Sequence, residues 1–378
     1  MAFLARDSKG TAYLSWTDPL PQGGHALRYA QWMGTEWSAA REIARGEHWF
    51  VNWADFPAFA ATDDGALLAH WLTKSEGSGT YGYGIHVARK ASGSDRWAEI
   101  FGANLTDKVD YAGFMSFVVT GNTAGAVYLS PAAAAPPSGP HDHESHQGSG
   151  ESHRKTLRYV AFTAQGTVAS DREIDADTCT CCQTTVISTP KGLVAAYRDH
   201  EPGEIRDISV VRLVRGSWTQ PVPLHRDGWK INGCPVEGPS AASSGENVGI
   251  AWYTKASGNA RVQMTLSSNS GERFADPLRI DDGEPYGHPS VSLFDSRHYL
   301  VAWYEKATDG RADLRMRRVS MDGVKLPSVT ITTVPAARAA GLPKVLVNGN
   351  QILLAWRDER VRTAVVAKSQ FLSMEKPN

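Results

Sequence analysis

The sequence LVAWYEK at residues 300–306 has close counterparts in GIAWYTK (249–255) and ILLAWRD (352–358). Each phrase is an apolar run that ends in an aromatic residue followed by polar ones. Successive copies place this aromatic position 51 to 66 residues apart, with Pro131 in the matching place of the third copy. A period of this length predicts a repeat architecture. The four copies further upstream are AYLSWTD (12–18), LLAHWLT (67–73), AVYLSPA (126–132) and LVAAYRD (193–199).

The segments on either side of the phrase predict the content of one repeat. A shorter apolar stretch that ends in turn residues comes before it, as in PSVSLFDSRH (289–298), and an alternating run follows it, as in LRMRRVS (314–320). Such a unit is typical of a four-stranded antiparallel blade. We therefore predict an all-β chain that forms one seven-bladed β-propeller domain over residues 1–378, with six blades as the fallback. The predicted blades are 2–46, 47–108, 109–177, 178–227, 228–282, 283–335 and 336–374.

The composition excludes several classes of partner. The chain has 39 basic and 40 acidic residues, so it offers neither the basic field that binds nucleic acid nor a polybasic segment for an anionic membrane. No apolar run approaches the roughly 18 residues of a transmembrane helix. The remaining partners are a small anionic ligand, a glycan, a metal ion or another protein.

The two ends of the chain predict its location. The first residues, MAFLARDSKG, lack the charged leader and apolar stretch of a signal peptide, and the last predicted blade has only three clear strands. We expect an upstream segment to carry both an export signal and the strand that closes the ring. On that assumption the protein is periplasmic or secreted.

A low-complexity insertion at residues 131–155 interrupts the third predicted blade. It contains His141, His143 and His146 in a stretch rich in Pro, Ser and Gly. The insertion follows the repeated phrase, which places it at the same end of the ring as the segments that lead into the innermost strands, because consecutive strands of a blade are antiparallel. We call this end of the ring the upper face, and we predict that the three histidines assist a metal site there.

Four cysteines also fall on the upper face. Cys179, Cys181 and Cys182 lie in TCTCCQTT, and Cys234 lies in NGCPVEGP. Cys179 is 18 residues before Tyr197, as Cys234 is before Trp252, so the two sequences lead into adjacent blades and should meet at the mouth of the central channel. Four thiols could form disulfides, bind a metal ion or remain as inert buried cysteines. The C-x-C-C spacing counts against structural zinc, so copper is the preferred metal and zinc the second.

A second group of polar and aromatic residues is predicted to bind a ligand on the same face. Arginine side chains at a channel rim suit an anion such as a carboxylate, since the guanidinium can donate two parallel hydrogen bonds. The alternative is that these arginines pair with neighbouring aspartates. The predicted ligand-binding residues are Asn52, Trp53, Arg198, Asp199, His200, His288, Arg338 and Arg357.

The chain resembles the bacterial sialidase-like propellers with BNR or Asp-box repeats. The family's Asp box survives in a degenerate form as Ser267, Asn269, Gly271 and Phe274. The sequences NWADFP, CTCCQT and GWKINGCPVEGP are similar to those of a group of exported bacterial proteins that carry the sialidase-like label. That label rests on fold, and fold alone does not define function.

The resemblance implies a catalytic alternative. True exo-sialidases are six-bladed and use an aspartate acid/base, a glutamate and a tyrosine nucleophile, together with three arginines. Asp55, Glu237 and Tyr286 occur in the family's chain order, but the F-R-I-P arginine motif is absent. We therefore favour a binding protein with a Cys-rich site, with a sialidase-type glycoside hydrolase and a disulfide-stapled interaction scaffold as the alternatives.

Overall fold

The computed structural model describes residues 1–132, 154–335 and 340–375. It confirms an all-β, seven-bladed propeller of antiparallel sheets. Six blades have four strand positions, and the seventh has three within the described residues. The innermost strands of blades 1 to 7 are β1 (Ala2–Arg6), β5 (Phe59–Ala61), β9 (Gly113–Thr120), β13 (Thr185–Thr189), β18 (Ser240–Ser244), β22 (Pro285–Leu293) and β26 (Lys344–Asn348).

The repeated aromatic phrase forms the second strand of each blade, as the repeat predicts. In the fifth and sixth blades its tryptophans, Trp252 and Trp303, are fully buried between sheets. Their indole N–H groups donate to Asp227 and Glu305 at 2.7 Å each, so burial leaves neither donor unsatisfied. The second strands are β2 (Ala12–Pro19), β6 (Leu67–Lys74), β10 (Thr123–Pro131), β14 (Gly192–Arg198), β19 (Asn247–Thr254), β23 (His298–Lys306) and β27 (Gln351–Asp358).

The outer strands complete each sheet. In the fourth blade the outermost position is shared by two short strands that both pair with the third strand. A short helix, α1 (Lys368–Met374), follows the last strand. The third strands are β3 (His25–Gln31), β7 (Tyr83–Lys90), β11 (Lys155–Phe162), β15 (Ile208–Val214), β20 (Arg261–Ser267), β24 (Ala312–Ser320) and β28 (Arg360–Ala367). The outermost are β4 (Arg41–Gly46), β8 (Trp97–Ala103), β12 (Val168–Thr178), β16 (Ser217–Trp218), β17 (Val222–Pro223), β21 (Leu278–Arg279) and β25 (Lys325–Val334).

Serine side chains join neighbouring innermost strands. The hydroxyl of Ser240 on β18 accepts the backbone N–H of Val291 on β22 at 2.9 Å, and the hydroxyl of Ser290 on β22 accepts that of Val345 on β26 at 3.2 Å. Side-chain acceptors are needed because innermost strands of different blades do not pair as a sheet. The Pro-Ser phrases of the sequence therefore mark contacts between blades.

The ring closes between the first and seventh blades. Strand β1 packs against both β26 and β5, so every innermost strand has a neighbour on each side. The indole of Trp32 donates to Gln351 at 2.8 Å, and the Gln351 amide donates to the carbonyl of Gly34 at 2.9 Å. Side chains thus hold the two blades together. The described part of the chain includes no helix with the length and apolarity needed to cross a membrane.

Candidate functional site

The lead-in segments and the loops after the repeated phrase share one end of the ring, as predicted for the upper face. The N–H of Cys179 donates to the carbonyl of Arg198 at 3.1 Å, and the N–H of Lys306 donates to the carbonyl of Glu284 at 3.0 Å. Each bond joins the segment that leads into a blade to the end of that blade's second strand. Cys179 and Arg198 therefore lie at the same end of the fourth blade.

The sequence NWADFP (52–57) crosses the mouth of the central channel, and we call it the cap segment. The Asn52 side chain accepts the N–H groups of residues 54 and 55 at 2.7 Å, which folds the segment into a turn. The ring of Trp53, from blade 2, lies 5.6 Å from that of His288, from blade 6. The amide of Gln183, from blade 4, donates to the carbonyl of Ala54 at 2.8 Å. The cap segment is thus held by blades on the far side of the ring.

Asp55, within the cap segment, is buried. Its Oδ2 accepts the N–H of Phe114 at 2.8 Å, and its Oδ1 lies 3.9 Å from Nε2 of His70. The pKa of Asp55 rises to about 7 because burial outweighs the hydrogen bond from Phe114. Burial likewise lowers the pKa of His70 to about 4, and its Nδ1 accepts the N–H of Ala58. His70 is therefore neutral at pH 7, with its proton on Nε2 facing Asp55.

Glu237 repeats this arrangement between the fifth and sixth blades. Its Oε2 accepts the N–H of His288 at 2.9 Å, and its Oε1 lies 3.0 Å from the ring Nδ1 of the same histidine, without hydrogen-bond geometry. His288 and Phe114 both have left-handed backbone, with φ of 57° and 55°. Each buried carboxylate therefore binds the amide of a left-handed residue in the next blade, which stabilises a conformation that non-glycine residues rarely adopt.

Tyr286 lines a pocket that neither Asp55 nor Glu237 lines. It lines a surface pocket between the fifth and sixth blades with Tyr253, Lys306 and Arg279. No contact among Asp55, Glu237 and Tyr286 is found in the described residues. The structure therefore places the three candidate catalytic residues in different environments.

Arg198 is almost completely buried, with 1% of its surface exposed. Its Nε donates to the carbonyl of Glu237 and its Nη2 to that of Tyr253, both at 2.7 Å, and its Nη1 donates to the carbonyl of Arg206. Its guanidinium also stacks over the ring of Trp229 at 4.7 Å. This side chain joins the fourth and fifth blades through backbone carbonyls.

The other predicted ligand-binding residues have diverse surroundings. Asp199 accepts the hydroxyl of Ser209 at 2.7 Å, and burial raises its pKa to about 6. The imidazole of His200 lies between Asp177, at 3.0 Å, and Glu204, at 3.5 Å. Arg357 is exposed. Arg338 lies outside the described residues, as do His141, His143 and His146.

The four cysteines form one cluster on the upper face, as the blade spacing predicts. Cys181 and Cys234 form a disulfide with their Cα atoms 6.0 Å apart, while Cys179 and Cys182 are free and their sulfurs are 3.2 Å apart. The sulfurs of Cys179, Cys181 and Cys182 lie within 4.8 Å of one another. The blade spacing indicated Cys179 as the residue equivalent to Cys234. The disulfide partner of Cys234 is instead Cys181, two residues later.

Positive charge surrounds the free pair. Burial raises the pKa of the Cys179 thiol, but the hydrogen bond with Cys182 and the charges of Arg206 and Arg198 outweigh it and bring the pKa to about 6. Burial and the neighbouring Cys179 raise the pKa of Cys182. The Nε of Arg206 is a buried donor without a hydrogen-bond partner in the described part of the chain. The pair can therefore hold a thiolate near neutral pH.

A central cavity of about 410 Å³ runs along the innermost strands of all seven blades. The cap segment contributes Phe56 to its lining, and Gln183, His288 and Lys344 also line it. Analysis of the sequence missed Lys344, which occupies a serine position of the Pro-Ser phrase. Lys155, the last residue of the His-rich insertion, was not predicted from the sequence either. Its fully buried ammonium pairs with Asp110.

Comparison with known proteins establishes the fold. No protein-family model matches the chain, and no curated protein matches it. An ulvan lyase of a polysaccharide lyase family aligns with a TM-score of 0.56 at 11% identity, over 98% of this chain and 94% of that one. A protein of unknown function from Dyadobacter fermentans gives 0.53 at 10% identity, over 97% and 93%. A Hadza microbial sialidase gives 0.52 at 12% identity, over 91% and 73%. The chain thus shares the sialidase-like propeller fold.

Proposed function

We propose that this chain is a binding protein whose upper-face cysteine cluster takes up a thiophilic metal ion, with copper(I) as the preferred ion. The observation that carries the proposal is the free pair Cys179 and Cys182, with sulfurs 3.2 Å apart beside the Cys181–Cys234 disulfide. Thiolate ligands select soft metals. The disulfide between Cys181 and Cys234 also supports an extracytoplasmic location, where disulfides persist.

The number of available thiols favours copper over zinc. Structural zinc is held by four protein ligands. With Cys181 and Cys234 joined, two thiols remain. Copper(I) accepts low coordination numbers, so two thiolates suffice for it. His141, His143 and His146 stay predicted auxiliary ligands.

The charges around Cys179 and Cys182 also favour binding of copper(I). A copper(I) ion bound by two thiolates carries a net negative charge, which would be costly in a buried site without nearby cations. Arg206 and Arg198 supply that positive charge, and both act on Cys179. The unpartnered Nε donor of Arg206 is available to a thiolate ligand.

Thiol counting and copper(I) titration test this proposal. The denatured, unreduced chain is expected to show two free thiols, and the native chain should take up one copper(I) ion under anaerobic conditions against a competing chelator. Cys179→Ser and Cys182→Ser should each abolish this uptake. The double variant Cys181→Ser/Cys234→Ser is the matched control, because it keeps the free pair. An absence of free thiols in the denatured, unreduced chain, or full uptake by Cys179→Ser, would contradict the proposal.

A glycan-active function is the second candidate, and the fold shared with a sialidase and a polysaccharide lyase favours it. Asp55, with a pKa of about 7, has the proton affinity of a general acid, although its Oδ2 is bound to Phe114. Tyr286→Phe should remove any turnover of sialosides or uronic-acid glycans under this hypothesis. Full turnover by that variant would exclude Tyr286 as the nucleophile.

A further inference from the structure

Lys344 stands at a position where the two preceding blades have serine. On β26 it pairs with Ala355, just as Ser240 pairs with Ala251 and Ser290 with Ala302. Each of these alanines comes directly before the repeated tryptophan. The serines accept an N–H of the next blade, which an ammonium group cannot do. Lys344 therefore lacks the hydrogen bond between blades that the two serines make.

The ammonium of Lys344 is held among aromatic rings. Its Nζ lies 3.8 Å from the ring centroid of Phe56 and 5.4 Å from that of Phe3, and these two rings stack 5.0 Å apart. No carboxylate and no hydrogen-bond acceptor contacts it in the described residues. Lys344 is partly exposed and lines the central cavity. Such a cation lacks its usual anionic partner.

The cavity lining provides further groups that attract anions. Among the described lining residues none is acidic, whereas Lys344, Arg6 and His288 are basic. Ser240 and Ser290 use their oxygens as acceptors, so their hydroxyl protons stay free to donate. Phe3, Phe56 and Phe117 supply apolar surface in the same cavity. Its volume of about 410 Å³ is in the range of small-molecule sites.

We infer that the central cavity binds a small monocarboxylate with an apolar body, whose carboxylate contacts the ammonium of Lys344 and whose body packs on the phenylalanine rings. This inference does not depend on metal uptake by the cysteine cluster. The carboxylate supplies the missing counter-charge, and the rings of Phe3 and Phe56 suit an aromatic or aliphatic body. The two hydroxyls on β18 and β22 are further donors for the carboxylate.

Titration of the full-length protein with benzoate and with benzamide tests the inference. Benzamide has the same shape without the charge, so it should bind at least tenfold more weakly. Lys344→Met keeps the length and apolar contacts of the side chain and should abolish benzoate binding. The exposed Lys9→Met is the matched control and should bind as the wild type does. Equal affinity for the two probes, or benzoate binding retained by Lys344→Met, would overturn the inference.

The pH dependence provides a readout that a structural role would not produce. Burial lowers the pKa of Lys344 to about 7, so the lysine loses its charge near neutrality. Benzoate stays ionised throughout, and its affinity should fall about tenfold between about pH 6 and pH 8. Benzamide affinity should stay constant. A benzoate affinity that does not change over this range would also overturn the inference.

Reductive methylation of the wild-type protein gives an answer even where Lys344→Met fails to fold. The uncharged amine is the reactive form, so limiting formaldehyde and a mild reductant at neutral pH should methylate Lys344 ahead of exposed lysines such as Lys9. Peptide mass spectrometry measures the extent of modification at each site. Benzoate should slow methylation of Lys344 several-fold and leave Lys9 unchanged. Equal rates at Lys344 with and without benzoate would contradict the proposed site.

Discussion

The rings of Trp53 and His288 meet edge to face with their centroids 5.6 Å apart, although Trp53 leads into the second blade and His288 lies in the sixth. The contact spans the ring because the cap segment crosses the mouth of the channel. It also places Trp53 next to the left-handed turn that Glu237 stabilises through the N–H of His288. The cap segment and the sixth blade therefore depend on one another for their conformation.

Trp53→Ala should lower the free energy of unfolding by about 2 kcal/mol, since it removes a partly buried aromatic contact that spans the ring. Trp53→Phe keeps an aromatic edge and should lower the free energy of unfolding by less than half as much. Chemical denaturation of both variants measures the difference. Equal losses would show that the contact with His288 contributes nothing specific.

The pKa of Asp55 predicts how stability changes with pH. Its folded pKa is about 7, and an unfolded aspartate has a pKa of about 3.9. Between these values the folded state keeps a proton that the unfolded state has lost, so this residue reduces stability by about 1.4 kcal/mol per pH unit as the pH rises. Above pH 7, burial of the Asp55 carboxylate lowers the free energy of unfolding by a total on the order of 4 kcal/mol.

Asp55→Asn removes this cost while its side-chain oxygen can still accept the N–H of Phe114. The free energy of unfolding of the variant, relative to the wild type, should rise from about pH 4 to pH 7 and then level off. Urea denaturation across this range measures it, with the exposed Asp63→Asn as the matched control. A difference that does not change with pH would mean that Asp55 is ionised in the folded protein.

The repeated phrase predicts the fold because blade architecture depends on local patterns. Each copy gives one buried second strand, and the short apolar stretch before it gives the innermost strand. The blade spacing also brings together the cysteines, since equivalent positions of adjacent blades must be neighbours. Cys234 thus meets the CTCC sequence, 53 residues away from Cys181.

The contacts across the ring could not be predicted in the same way. Nothing in NWADFP shows that it reaches His288 or Gln183, because such contacts depend on how far the segment extends over the channel. Burial is equally hidden in the sequence. The phrase YRD (197–199) suggests a rim arginine, yet Arg198 binds three backbone carbonyls inside the protein. Lys344 was missed because PKV in the seventh blade aligns with PSV in the sixth.

Arg198 should be among the residues most important for stability. Arg198→Met leaves three buried carbonyl groups without their donor and should lower the free energy of unfolding by about 3–5 kcal/mol. Arg198→Lys keeps the charge but cannot reach three carbonyls with one ammonium, so most of the loss should remain. The exposed Arg357→Met is the control, and thermal unfolding provides the comparison. If Arg198→Met is as stable as the control, the hydrogen bonds of Arg198 do not stabilise the fold, and a role in ligand binding becomes the better explanation for this arginine.

The Cys181–Cys234 disulfide joins the lead-in segments of the fourth and fifth blades, and its removal should destabilise the protein. Closing a loop of 53 residues restricts the unfolded chain, which predicts a contribution of roughly 2–4 kcal/mol. The double variant Cys181→Ala/Cys234→Ala should show this loss in denaturant unfolding, and reduction of the wild type should reproduce it. Cys179→Ser is the control, because it leaves the disulfide intact. If reduction leaves the midpoint of unfolding unchanged, the two sulfurs are not joined in the native protein, and all four thiols become available to a metal ion.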